Sequence, residues 1–262
     1  ADRVRHEVFR TSTGERVRSS RPALSARTRR RVFGRFLMFI GTRPAQTRRM
    51  QVWDPATDRN MLDEPLHREA SPTETSDFEL AWLTADGRLR VHDPTTGTRR
   101  LDVKLLNDPR QGVGGLKVFR DRDNWYVALL PSRAARVQLG RQVFFVGDTL
   151  LPVSHISGEL VAIDAADGHI RWRRSMPLRS VLRFRNLQLP FLVMLGRVRD
   201  RARSGRQRML LELLDLRSGR TLLLRDNLPT DRIVQAWFDP GKGQVELSGL
   251  KSRIKLTFPV SR

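Results

Sequence analysis

Largely apolar runs of strand length recur along the chain. Five of them are FLMFIG (36–41), FELAWLT (78–84), WYVALLP (125–131), PFLVML (190–195) and IVQAWFD (233–239). A run of this length that does not alternate with polar residues is typical of a strand buried on both faces. None approaches the roughly 18 consecutive apolar residues that a membrane-spanning helix requires. The pattern therefore predicts buried strands and no membrane span.

Each of the first four runs precedes a segment in which apolar and polar residues alternate, as in GRLRVHD (87–93) and GELVAID (158–164). Such alternation is typical of a half-buried strand. The segment ends at an Asp, whose carboxylate can accept hydrogen bonds from the N–H groups of a tight turn. In three of the four segments a Gly follows four residues later and can supply the positive φ of that turn. The pattern predicts a β-hairpin after each buried strand.

The hairpins are copies of one repeat, which has a small or apolar first residue, Asp two positions later and Gly six positions later. The clearest copy is VAIDAADGHIRW (161–172). The copies begin at Val8, Val52, Val91, Ala162 and Leu213. The Asp position holds Arg10, Asp54, Asp93, Asp164 and Asp215, and the Gly position holds Gly14, Asp58, Gly97, Gly168 and Gly219. Four residues after the Gly position, the copies have Arg18, Leu62, Leu101, Trp172 and Leu223.

The spacing of the copies predicts an all-β propeller. They start 44, 39, 71 and 51 residues apart, and propeller blades span about 40–50 residues. The longer intervals are explained by insertions at 131–157 and 196–208. A sixth unit lacks the Asp and Gly. We therefore expect one domain over residues 1–262 with about six four-stranded blades, whose hairpins lie near 6–18, 48–63, 88–105, 159–174, 209–225 and 244–259. Because the chain opens inside a repeat, we expect the propeller to be incomplete at its N-terminus and part of a larger protein.

The segment AIDAADGHIRW resembles the tryptophan-docking motif of the PQQ-like (quinoprotein-type) β-propellers. Ala162, Asp164, Gly168 and Trp172 occupy the motif positions, and Asp167 stands where Thr is usual. In that family the motif is structural, because the Trp packs between adjacent blades and the Asp–Gly turn fixes the hairpin. The resemblance implies that Trp172 is largely buried between blades. It implies the same turn role for Asp54, Asp93, Gly97, Asp215 and Gly219.

The dehydrogenases of this family have eight blades, a disulfide beside the quinone and a calcium ion held by carboxylates. This chain has no Cys and about six predicted units, so we assign no catalytic, cofactor or metal residue and expect no cofactor. The chain looks closer to non-catalytic relatives such as the outer-membrane assembly lipoprotein. That resemblance implies a non-enzymatic binding scaffold, another protein or domain as partner, and a location in the cell envelope or periplasm. The alternative is an enzyme on the same fold, either a quinoprotein dehydrogenase or a glycosidase or lyase.

The charge introduces another alternative. The formal net charge is +21, and 44 of the 49 basic residues are Arg. An excess of this kind indicates either an anionic partner, such as nucleic acid or an anionic surface, or an enrichment of Arg at tolerant surface positions. The insertion 196–208 is the densest segment and has a single acidic residue, so we expect a mobile loop. Its candidate polyanion-binding residues are Arg197, Arg199, Arg201, Arg203, Arg206 and Arg208.

The aromatic residues and histidines indicate no chemistry of their own. The five Trp residues fall about one per unit, at Trp53, Trp82, Trp125, Trp172 and Trp237. We expect them to pack in the core, since stacking on bases or sugars would require exposed rings. No two of the five His residues have the spacing of metal ligands.

Overall fold

The structure is a computed structural model that describes twelve segments of the chain: residues 6–9, 12–20, 29–42, 48–75, 77–108, 112–131, 153–182, 189–199, 207–228, 233–239, 241–249 and 252–258. All regular secondary structure within these segments is β-strand, and the sheets are antiparallel. The all-β prediction is therefore confirmed. None of the described residues forms a helix long and apolar enough to cross a membrane.

The chain forms two compact units, of which the first comprises Ala1–Arg133 and Ile163–His169. It contains a hairpin of β1 and β2, a meander of β3 to β6, a meander of β7 to β10, and the pair β11 and β12. These strands are β1 (His6–Phe9), β2 (Arg16–Ser20), β3 (Arg29–Phe33), β4 (Phe36–Thr42), β5 (Arg48–Asp54), β6 (Arg59–Pro65), β7 (Thr73–Glu74), β8 (Leu80–Leu83), β9 (Arg88–Asp93), β10 (Thr98–Lys104), β11 (Val113–Arg120) and β12 (Asn124–Pro131).

The second unit comprises Ala134–Ala162 and Ile170–Arg262. It contains the antiparallel order β14-β15-β16-β17 and a three-stranded sheet of β18, β19 and β20. The remaining strands of the chain are β13 (Val153–Asp164), β14 (Ile170–Leu182), β15 (Phe191–Arg199), β16 (Gln207–Asp215), β17 (Thr221–Leu228), β18 (Ile233–Asp239), β19 (Gln244–Gly249) and β20 (Arg253–Thr257).

The two meanders β3–β6 and β7–β10 have the four strands of a propeller blade. The β1–β2 sheet has two described strands and the β18–β20 sheet has three. No described sheet closes on itself, so the number of blades and the closure of a ring stay predictions.

The largely apolar runs form the buried strands β4, β8, β12 and β15, as their composition predicts. All four residues of β8 are buried, and so are the first six residues of β12. In the first unit, apolar side chains of β3, β4 and β5 pack against Leu80 and Trp82 of β8. In the second unit, Val193 and Leu211 belong to one core with Val245 and Leu247 of β19. Each core therefore forms where one sheet packs on the next sheet in the chain.

The expectation that every Trp packs in the core is correct for Trp82 and Trp125, each of which is 1% exposed. It is wrong for Trp237, which is 50% exposed. Successive residues of a strand point to opposite faces. Ala236 packs against the core of the second unit, so Trp237 points away from it. Sequence composition shows that this strand is apolar, but it does not show which of its faces another sheet covers.

A buried carboxylate links three strands of the second unit through hydrogen bonds. The Glu212 side chain on β16 is 4% exposed. It accepts hydrogen bonds from Arg174 on β14 at 2.6 Å, from the Thr221 hydroxyl on β17 at 2.9 Å and from Arg179 on β14 at 3.3 Å. A buried charge is tolerated only when it is paired and hydrogen-bonded, and Glu212 meets both conditions.

We expect Glu212→Gln to lower the free energy of unfolding by about 2–4 kcal/mol, because it leaves two guanidinium groups without their carboxylate. The matched control is Glu246→Gln, which removes the partner of Arg253, a side chain that is 74% exposed. An exposed pair of that kind contributes at most about 1 kcal/mol. Urea unfolding of the three proteins measures both effects, and equal losses in the two variants would contradict the role assigned to Glu212.

Candidate functional site

Four of the repeated hairpins share one turn geometry. In each, Oδ1 of the Asp accepts a hydrogen bond from the N–H group two residues later, at 2.9 Å in the Asp54 turn, 2.9 Å in the Asp93 turn, 2.8 Å in the Asp164 turn and 3.0 Å in the Asp215 turn. The N–H group four residues after the Asp donates to the backbone carbonyl of that Asp, at distances from 2.8 to 3.0 Å. The aspartate carboxylates are therefore used to hold the turns.

The Gly position of the repeat has a left-handed backbone in all five copies. Its φ is 67° at Gly14, 72° at Gly97, 75° at Gly168 and 69° at Gly219. The second copy has Asp58 there, and it adopts the same conformation with φ at 58°. Asp tolerates this region better than most residues, and Oδ1 of Asp58 also accepts a hydrogen bond from the Trp53 indole at 3.1 Å. The departure from the motif in this copy leaves the turn unchanged.

Trp172 lies against the glycine turn of the next repeat in the chain. Its indole N–H donates to the carbonyl of Leu216 at 3.0 Å. A Cβ atom placed on Gly219 would lie 2.6 Å from the indole ring, so this position has room for Gly alone. Trp172 is partly buried against this turn, and its burial between two blades stays a prediction.

An equivalent contact occurs one repeat earlier. A Cβ atom on Gly168 would lie 2.9 Å from Val103 and 3.8 Å from Leu101. Leu101 occupies the repeat position that Trp172 occupies in the next copy. The side chain four residues after the Gly of one copy thus contacts the Gly of the following copy in both cases. Gly97, in contrast, would have no atom within 4 Å of an added Cβ.

Sequence reasoning missed an ion pair that three hairpins share. The pair joins the residue five positions before the turn Asp to the residue nine positions after it. Arg49 and Asp63 are 2.7 Å apart, and Arg88 and Asp102 are 2.6 Å apart. In the fourth copy the charges are exchanged, with Glu159 and Arg173 at 3.3 Å. Comparison of the aligned repeats could have found this pair, because the two positions change together. In the fifth copy both are Leu, at Leu210 and Leu224.

These pairs join the two strands of one hairpin and have a structural geometry. Arg49 and Arg88 each donate a second hydrogen bond to the backbone carbonyl of their partner Asp, at 3.0 and 3.1 Å. In these three hairpins the acid is therefore paired with a base on the same hairpin. Among the described residues, no group of three or more His, Asp or Glu side chains could hold a metal ion.

The structure places part of the Arg-rich insertion on strands. Arg197 and Arg199 lie on β15 and Arg208 lies on β16, and the two strands pair antiparallel up to Arg199 and Gln207. The prediction of a loop over 196–208 was therefore wrong for 196–199 and for 207–208. The physical reason is that backbone groups form the hydrogen bonds of antiparallel pairing, so β15 and β16 can stay paired beyond the apolar residues of β15. Arg201, Arg203 and Arg206 lie outside the described residues.

Comparison with known proteins adds little to this geometry. No family model matches the sequence, and no curated protein matches it. Among solved structures, the chain is similar to hydrazine synthase from Kuenenia stuttgartiensis, with a TM-score of 0.34 and 13% sequence identity. The alignment covers 83% of this chain and 53% of that protein, so this chain spans about half of its length. A similarity of this size supports no conclusion about function.

The docking contact predicts different costs for two glycine substitutions with the same backbone conformation. We expect Gly97→Ala to lower the free energy of unfolding by about 1–2 kcal/mol, the cost of a left-handed backbone for a residue with a Cβ. Gly219→Ala should cost about 1–3 kcal/mol more, because the new methyl group displaces the Trp172 ring.

Urea unfolding measures both losses, and a double variant supplies the control. The extra cost of Gly219→Ala should disappear when Trp172→Ala is already present. If Gly97→Ala and Gly219→Ala cost the same, the ring does not press on Gly219.

The Asp93 turn predicts a dependence of stability on pH. A hydrogen bond from the Thr95 hydroxyl is the main cause that lowers the pKa of Asp93 from 3.8 to about 2. In this range the unfolded chain binds a proton more readily than the folded protein does, so acid weakens the fold. The stability difference between the wild type and Asp93→Asn should therefore be constant above pH 5 or so and shrink as the pH falls from 3.8 toward 2. Urea titrations at a series of pH values test this, and a constant difference throughout would contradict it.

Proposed function

We propose that this chain is a propeller-type repeat domain of about six blades that acts as a non-catalytic scaffold for another protein or domain. The observation that carries the proposal is the use of the repeated residues. The turn aspartates accept hydrogen bonds from backbone N–H groups, Gly168 and Gly219 each contact a side chain of the preceding copy, and the charged hairpin positions pair with one another. The repeat therefore builds a framework, and we expect the binding surface to lie between these repeated positions.

The resemblance to the non-catalytic PQQ-like propellers supports the same proposal. In those propellers the Asp, Gly and Trp of the motif serve the packing of blades, and in this chain Asp164 and Gly168 form a turn while Trp172 contacts the turn of the next repeat. The proposal extends to a cell-envelope or periplasmic location. It includes no cofactor and no catalytic residue.

Trp237 is the most promising contact residue for such a partner. It is the single described Trp that is half exposed to solvent, at 50%. Tryptophan is enriched among the residues that dominate binding energy at protein interfaces. Its cross-strand neighbour on β19 is Glu246, which opposes Lys255 on β20. The indole thus lies beside charged side chains, an arrangement that resembles an apolar anchor within a polar rim.

We expect the wild type to cross-link to one partner protein in near-stoichiometric amount in extracts of its own source. Trp237→Ser should reduce that cross-linking about tenfold or more, because a central aromatic anchor is worth at least about 2 kcal/mol. The control is Leu178→Ser, which also removes an exposed apolar side chain, 46% exposed, from another sheet position. Equal cross-linking by all three proteins would contradict the role of Trp237. A rise in melting temperature with added quinone and calcium would instead favour the enzyme alternative.

A second candidate is binding of a polyanion, such as nucleic acid or an anionic surface. The observation that favours it is the placement of Arg197, Arg199 and Arg208 at the end of the β15–β16 ladder. Strand pairing orders the backbone at these three positions. A guanidinium group can form paired hydrogen bonds with either a phosphate or a carboxylate.

A further inference from the structure

The strand β3 carries three consecutive arginines at the edge of its sheet. It is the terminal strand in the order β3-β4-β5-β6. Arg29, Arg30 and Arg31 are all exposed, as is Val32. Charged side chains are common on edge strands because they discourage edge-to-edge aggregation. Aggregation control alone does not require a fourth, half-buried arginine near this edge, and β5 provides one at Arg48.

The register of the sheet places Arg29, Arg31 and Arg48 on one face. Arg29 opposes Ile40 and Arg31 opposes Met38, while Ile40 in turn opposes Met50 of β5. Directly opposed residues share a face, and so do residues two apart on a strand. Arg48 lies two residues before Met50, so it belongs to the same face. Arg30 opposes Phe39 and therefore points to the other face.

Arg48 is half-buried and its partners are neutral. Its guanidinium donates to the carbonyl of Ala70 at 2.6 Å, to the carbonyl of His67 at 3.3 Å and to the Ser71 hydroxyl at 3.4 Å. Burial, followed by the positive charges of Arg29 and Arg31, lowers the pKa of Arg48. An arginine stays protonated in proteins even so. These bonds fix the orientation of the group and do not neutralise its charge.

The carboxylates nearest in the sheet are committed to other cations. Glu64 shares the face and opposes Met50, but it pairs with Arg90 at 2.5 Å. Asp54 pairs with Arg35 at 3.3 Å. Within the described ranges, no carboxylate forms an ion pair with Arg29, Arg31 or Arg48. Among the described residues, this face therefore carries three positive charges without an ion-paired carboxylate, whereas Arg49 of the same sheet is paired with Asp63.

We propose that Arg29, Arg31 and Arg48 form an anion-binding site for phosphate groups, carried either by a compact phosphorylated molecule or by a nucleic-acid backbone. A phosphate group is favoured over a single carboxylate because it offers more charge and more acceptor oxygens to converging guanidinium groups. Arg48 supplies an oriented positive charge, and the two exposed arginines close on the ligand from the edge strand. Binding would relieve the repulsion between the three cations. The site is separate from the Arg-rich strands β15 and β16 and does not depend on the scaffold proposal.

Isothermal titration with two probes tests the site, and the probes distinguish its two sources of phosphate. The first is inorganic tripolyphosphate and the second is a short single-stranded oligonucleotide. The test variant is Arg29→Gln with Arg31→Gln. The control variant is Arg30→Gln with Arg59→Gln, which changes the net charge equally through two exposed arginines, one of which lies on β3 but points to its other face. We expect the test variant to bind at least about tenfold more weakly than the wild type, since two charge-assisted contacts are lost, and the control to bind within about twofold.

The outcomes of the titration either assign the ligand of the site or overturn the proposal. Tripolyphosphate binding that the test variant loses assigns the site to compact phosphorylated molecules. Binding of the oligonucleotide alone, with the same loss, assigns it to nucleic-acid backbone, and the dependence of log affinity on log salt should then flatten by about 1.4 for two single-strand contacts. The proposal is overturned if the wild type binds neither probe, or if the control variant loses as much affinity as the test variant. Thermal melts without ligand check the fold, and the test variant should melt at or above the wild type because like charges have been removed.

Discussion

The left-handed residue in each hairpin turn is the constraint on which the repeat depends. It reverses the chain within a few residues, and the preceding aspartate holds the N–H groups that this reversal leaves without strand partners. At Gly168 and Gly219 the absence of a Cβ has a second use, because a side chain of a neighbouring copy fills the space. One residue thus sets both the local turn and the contact between successive repeats. The second copy, with Asp58, keeps the first of these uses.

Charge is distributed unevenly over the framework. In the hairpins each arginine of the repeated pairs lies beside an acid on the same hairpin, and Glu212 gathers two more arginines in the second unit. On β3 the arginines have no such partners among the described residues. If arginine were simply enriched at all tolerant surface positions, paired arginines would not be concentrated in the hairpins and unpaired ones on β3. The net charge therefore does not indicate where an anion could bind. Whether each arginine is paired with an acid is the better guide.

Sequence patterns predicted the strands and the turns well, because both follow from local chemistry. An apolar run of strand length and an Asp–Gly spacing each determine structure within a few residues. Which face of a strand becomes covered depends on distant residues, and for this reason the burial of Trp237 was predicted wrongly. The Arg-rich segment was expected to be a loop because composition does not show that the backbone pairing of two strands continues beyond their apolar residues.

The ion pairs could have been found in the aligned copies, but only by comparing two positions of the repeat together. The β3 site could not be predicted, since Arg29, Arg31 and Arg48 are brought to one face by pairing across three strands.

The variation in the hairpin pairs has a consequence for how this chain avoids misassembly during folding. Tandem copies of similar sequence risk exchange of equivalent strands between repeats. Here the strand with Glu159 would meet Asp63 or Asp102 if it paired with a return strand of an earlier copy, and the strand with Leu210 would leave either acid without its arginine. Like charges or an orphaned charge would oppose each wrong match. The differences among the copies thus oppose exchange of the Glu159 or Leu210 strand with strands of the earlier copies, whereas the second and third copies both pair Arg with Asp and are not distinguished in this way.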